Sequence, residues 1–161
     1  MVLVAQGVPP SREAIQAHQS QVLGRQGGDT LLAELMPLPK PSQSSWPYSA
    51  LAKDLAFLKS RNAYLDEIRP QRIEILRHAI RRHRPNCVVF YGMSCLKNWK
   101  DVSDVPFRDT GSESLVGVDG STTYFIIRHP NARGLTNEYF AAQGRLLGDD
   151  SVPTTVSGPS S

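Results

Sequence analysis

His129 stands in the setting that offers the most chemistry. It closes the apolar run Phe125-Ile126-Ile127-Arg128 and is followed by Pro130-Asn131-Ala132-Arg133-Gly134. Pro130 fixes its own φ and biases His129 towards an extended backbone. The imidazole is thereby presented at the carboxyl end of a strand, the end at which open α/β sheets bind ligands. There it can donate a hydrogen bond, accept one or carry a proton. The plainer reading is a turn histidine that caps the next helix or bonds a backbone carbonyl, with Arg133 on the surface and Gly134 supplying a positive φ. Cys95 offers a second chemistry, a thiol nucleophile with His129 as its base. Its surroundings, Gly92-Met93-Ser94-Cys95-Leu96, contain no G-x-C-x-G elbow, and no third residue is placed to orient the base.

Charge and aromatic rings are the other resources. Between positions 69 and 84 lie six arginines against one acid, Glu74. Arg81, Arg82 and Arg84 either form a solvated helix end, where the dipole favours cations, or face phosphate. Trp46 and Tyr48 close the Pro-rich stretch 37–48, where they either plug the edge of a core or offer a face on which a base stacks. His18, His78 and His83 fall on expected helices without ligand spacing, so no metal is expected. The glycines of Arg25-Gln26-Gly27-Gly28-Asp29 lack the Lys-Ser/Thr end of a P-loop, and no cofactor is expected.

Elements of two periods must position these groups. Pro70 suits a first helical turn, and Ile73, Leu76 and Ile80 share one face of a helix that Pro85 stops. The continuous apolar run from Cys87 to Tyr91 reads as a strand buried on both faces, as parallel strands are. Residues 115–118 and 123–127 flank Asp119-Gly120-Ser121, a hairpin signal. Ser11 is placed to cap a helix through about Leu23, leucines 51, 55 and 58 mark another over about 49–61, and Thr136 caps a last one over about 137–147. Val2-Leu3-Val4-Ala5 reads as a short strand, and 30–36 is ambiguous between strand and helix.

The length of 161 residues suits one α/β domain over 1–147, followed by a Gly-, Pro-, Ser- and Thr-rich tail over 148–161 expected to be disordered. A net charge of +3 does not by itself announce nucleic acid. Two cysteines, without disulfide density or metal spacing, suit a reducing cytosol. No apolar run approaches a membrane span and no leader pattern opens the chain, so a cytoplasmic protein without a membrane partner is expected.

Val88-Val89-Phe90-Tyr91-Gly92 and Ile126-Ile127-Arg128-His129-Pro130, each ending a strand in this order, resemble the uracil-DNA glycosylase superfamily over about 49–147. The resemblance implies a three-layer α/β/α sandwich with a mainly parallel central sheet. It implies a DNA partner and hydrolysis of the N-glycosidic bond of a deaminated or damaged base, as in DNA repair. His129 then looks like the histidine that bonds the flipped base, since a fixed donor stabilises charge on the departing ring. Arg133 is similar to the wedge that fills the vacated space, and Asn131 stands where a serine is usual, within reach of phosphate. The early motif that positions the water has one candidate, Ala5-Gln6-Gly7-Val8-Pro9-Pro10, in which Gln6 can hold a water but cannot act as a base. The alternative is a non-enzymatic domain of the same fold that binds nucleic acid or a protein partner.

Overall fold

The computed structural model describes Gly7 and residues 11–39 and 45–148. The expected strand over 2–5 and the tail beyond Gly148 lie outside the described residues. The chain divides into two compact units: Ala33–Arg84 with Asp101–Asp104 form one, and the other described residues form the second.

The strand-bearing unit is built round one four-stranded sheet. Its strands are β1 (Cys87–Tyr91), β2 (Arg108–Asp109), β3 (Leu115–Asp119) and β4 (Thr122–Ile127), in the order β1-β4-β3-β2. β1 runs parallel to β4, whereas β3 runs antiparallel to both β4 and β2. The expectation of a mainly parallel sheet is therefore corrected. The reason is local: the two-residue connection Gly120-Ser121 can only reverse the chain, and Gly120 takes the positive φ of 56° that such a turn demands.

β4 pairs on both sides and carries the core. Phe125, Ile126 and Ile127 are at most 1% exposed, each burial contributing ~1.5–3 kcal/mol. Alternation divides them between two faces. Phe125 and Ile127 join Val116, with Val89, Phe140 and Leu146 packed against them; on the other face Phe90 stacks on Trp99 at 5.0 Å and lies 6.3 Å from Tyr124. Phe140 and Leu146 belong to α4 (Asn137–Gly148), and Trp99 belongs to α3 (Leu96–Ser103). α4 thus takes in Gly148, the first residue of the expected tail. Gly117 of β3 is the point of closest approach. A Cβ there would lie 2.7 Å from the carbonyl oxygen of Pro106 and 2.8 Å from Val105 Cγ2, so only glycine fits.

α1 (Arg12–Gln21) starts as expected, with Ser11 Oγ accepting from the Ala14 N–H. The other unit departs from expectation twice. Its long helix, α2 (Arg61–His83), begins nine residues before Pro70, because Ser60 caps it by accepting from the Ala63 N–H. Pro70 is an interior residue whose missing N–H leaves the Asp66 carbonyl without its helical donor. Residues 49–61 do not make one α-helix but two 3₁₀ segments, Pro47–Lys53 and Ala56–Lys59. No regular element covers 30–36.

Candidate functional site

The parallel pair brings two strand ends together. β1 and β4 are in register from Cys87 with Thr123 to Tyr91 with Ile127, so Gly92 and Arg128 leave the sheet side by side. The Gly92 N–H donates to the Ile127 carbonyl at 2.8 Å, and the Gly92 carbonyl accepts from Trp99 Nε1–H at 3.1 Å. Gly92 has φ +100°, a conformation that side chains rarely adopt, and a Cβ there would lie 3.9 Å from His129 Cβ. Conformation rather than space requires the glycine. Tyr91 and Met93, both large and exposed, flank it.

His129 is exposed at the start of the turn that follows β4. The Ala132 N–H donates to its carbonyl at 2.8 Å, and the Asn131 N–H donates to its Nδ1 at 3.1 Å. A nitrogen that accepts carries a lone pair, so the proton of the neutral ring sits on Nε2. Nε2–H has no partner among the described residues. The imidazole is thus held as a hydrogen-bond donor directed away from its own turn.

The turn is clasped from behind. The Arg128 N–H donates to Tyr139 Oη at 3.1 Å, and the Tyr139 O–H donates to the Glu113 carbonyl at 3.3 Å. The Arg128 guanidinium donates to Glu113 Oε2 and to the Arg133 carbonyl, each at 3.0 Å. Glu113 takes φ 55°, a left-handed conformation that costs a side chain about 1 kcal/mol or more. Asn131 and Arg133 are exposed on the same turn, and the Arg133 guanidinium has no partner among the described residues.

Of the residues read from sequence, the structure brings His129, Asn131 and Arg133 into one turn. Gln6 lies outside the described residues. Arg81, Arg82 and Arg84 end α2 in the other unit; Arg81 pairs with Asp104 at 3.4 Å, and Arg82 and Arg84 are exposed without side-chain partners among the described residues. Trp46 and Tyr48 are part of an aromatic cluster in that unit. Trp46 lies 5.1 Å from Tyr48 and 5.2 Å from Tyr64, and its indole N–H donates to the Leu58 carbonyl at 2.8 Å. The Tyr48 hydroxyl donates to the Pro39 carbonyl.

Cys95 makes no hydrogen bond to His129 among the described residues; its N–H turns back to the Gly92 carbonyl at 3.1 Å. Burial pushes the Cys87 thiol up to about 12, which suits a small core residue rather than a nucleophile. No cluster of three metal-ligating side chains occurs among the described residues. Nor is any helix among them long and apolar enough to cross a membrane.

Sequence reasoning passed over Arg128, Glu113 and Tyr139. The signal was an arginine between an apolar strand and His-Pro, where a further apolar residue would have continued the run. The chain matches no family model, no curated protein and no solved structure.

Proposed function

We propose that this chain is a uracil-DNA glycosylase-like domain that binds DNA and releases a deaminated or damaged base, with His129 as the group that stabilises the leaving base. The observation that carries the reading is the Asn131 N–H bond to His129 Nδ1, which leaves Nε2–H as a fixed outward donor. Breaking the N-glycosidic bond leaves its electron pair on the ring nitrogen of the base, and the negative charge spreads onto the carbonyl oxygens. A donor already aimed at such an oxygen stabilises the transition state more than the ground state.

The remaining roles follow from position. Extrusion must precede cleavage, because a stacked base hides its bond. Arg133, unpaired among the described residues and on the same turn, fills the space left in the duplex. Asn131 contacts phosphate, and Arg81, Arg82 and Arg84 add charge that releases counterions on binding. The water that adds to the sugar is assigned to Gln6 on the sequence resemblance alone, and its proton passes to solvent as the base departs as an anion. A helix on either side of the sheet, α4 against Phe125 and Trp99 of α3 against Phe90, supports the layered architecture that the reading entails.

The test is a strand-break assay on a uracil-containing oligonucleotide, single-stranded and duplex, with alkali to cut abasic sites. His129→Ala is run alongside to exclude contaminating host enzyme. The expected outcome is cleavage that disappears in the variant. Absence of cleavage with DNA binding retained would replace the enzyme by a binding domain of the same fold, and absence of both would remove the reading.

A further inference from the structure

We infer that Arg128 is a positioning residue for His129, acting with Glu113 and Tyr139 to hold the ring in its Nε2–H form. The functional part of this inference rests on the glycosylase-like reading; the positional part stands on geometry alone.

The hydrogen bonds close a circuit. The main chain of Arg128 is held through its N–H by Tyr139 Oη at 3.1 Å, just where the pairing of β4 with β1 has ended at Ile127. Tyr139 passes the connection on by donating to the Glu113 carbonyl at 3.3 Å. Glu113 returns it through its carboxylate, which takes one arm of the Arg128 guanidinium at 3.0 Å. The other arm reaches the Arg133 carbonyl at 3.0 Å. One side chain therefore ties together both ends of the turn, residues 128 and 133.

What lies between those ends is the bond that selects the tautomer. The Asn131 N–H meets Nδ1 only while the backbone from His129 to Ala132 keeps the fold recorded by the 2.8 Å bond between the Ala132 N–H and the His129 carbonyl. Release of the Arg133 carbonyl frees the far end of this segment. The exposed imidazole can then rotate and carry its proton on either nitrogen. The left-handed φ of 55° at Glu113 fits this role, because a non-glycine residue keeps such a backbone only when its surroundings hold it there. Arg128 suits the task better than lysine could, since its planar fork serves two acceptors at once.

This assignment separates Arg128 from the phosphate-facing arginines. Its charge is already matched by Glu113, whereas Arg133 on the same turn is unpaired among the described residues. Replacing Arg128 should therefore lower the rate of base release at saturating DNA and leave the salt dependence of DNA affinity unchanged. A phosphate contact would instead reduce the salt slope by about one.

The deciding experiment is nitrogen-15 NMR of the histidine ring, with amide exchange at Asn131, on the full chain and on Arg128→Ala, Arg128→Lys and Tyr139→Phe. The wild type should show His129 protonated on Nε2 alone. In Arg128→Ala the ring should become a mixture of tautomers, with exchange at the Asn131 amide faster by about tenfold or more. Arg128→Lys should not rescue either signal, and Tyr139→Phe should move both by less. An unchanged tautomer and unchanged exchange in a folded Arg128→Ala would overturn the inference. Should Arg128→Ala unfold, Tyr139→Phe decides, and a ring unaltered in that variant overturns the inference equally. A wild type inert towards DNA would end the functional reading while leaving the NMR result to stand on its own.

Discussion

Two regions of this protein are rich in arginine, and they use it for opposite ends. On α2, Arg72 donates to the carbonyls of Glu34 at 2.7 Å and Leu35 at 3.3 Å, and Arg77 donates to Glu74 and to the carbonyl of Asp101. Arg72 holds irregular chain against a helix and Arg77 holds the last turn of α3, both tasks of folding. On the turn after β4, Arg128 makes the same type of bond, to a carbonyl and a carboxylate, but the segment it holds presents His129. Each region also keeps free cations among the described residues, Arg82 and Arg84 on the helix end and Arg133 on the turn. Counting arginines in the sequence therefore says little about phosphate binding; what matters is which of them are already bonded to main chain.

The sharpest way to break this comparison is His129→Ala. It should reduce base release by about 10²–10³-fold, the usual cost of losing one aimed donor, while urea denaturation shows stability within ~0.5 kcal/mol of wild type. A large loss of stability would place His129 with the folding residues instead.

Arg72→Ala tests the other side. Loss of two bonds to main-chain carbonyls should destabilise by ~1–3 kcal/mol in urea denaturation, with no change in the salt slope of DNA affinity. If the slope falls, Arg72 belongs with the arginines proposed to face phosphate. Replacing Arg82 and Arg84 together by glutamine should do the reverse, lowering the slope by ~2 in binding titrations at several salt concentrations, with the melting temperature unmoved. The smallest effect on stability is expected for Arg81→Gln. Its pair with Asp104 is more than 60% exposed on both sides, so urea denaturation should register less than ~0.5 kcal/mol.

How far these features could be read beforehand depended on whether their causes were local. The Asp119-Gly120-Ser121 hairpin, the Ser11 and Thr136 caps and the strand from Cys87 to Tyr91 all follow from neighbours in sequence, and all are present, although β1 stands at the sheet edge with only Phe90 buried and not, as expected, buried on both faces. Pro70 misled because a proline reads the same at a helix start and in an interior; Ser60, a cap ten residues upstream, decided between them. Leucines 51, 55 and 58 keep helical spacing, yet Leu51 and Leu55 are exposed and the segment winds as short 3₁₀ turns, so no apolar stripe is buried that would favour the longer α-helix. The setting of His129 was legible because Pro130 adjoins it. Its support was not: Glu113 lies fifteen residues before Arg128 and acts through a backbone conformation that glutamate seldom adopts.

The connectivity of β4 has a consequence for the order in which the molecule assembles. Its pairing with β3 joins Asp119 to Thr122, three positions apart, whereas its pairing with β1 joins Cys87 to Thr123 across thirty-six. Closing the longer loop costs more chain entropy and comes later, so the hairpin is expected to form early and β1 to dock onto it. Gly92 and His129 then become neighbours only when that docking is complete. Truncations in β1 should accordingly speed unfolding rather than slow folding, and those in the hairpin should do the opposite, a contrast that stopped-flow kinetics on paired variants would reveal. The pairing of the two strand ends that sets Gly92 beside the His129 turn is, on that view, the last thing the sheet acquires and the first it gives up.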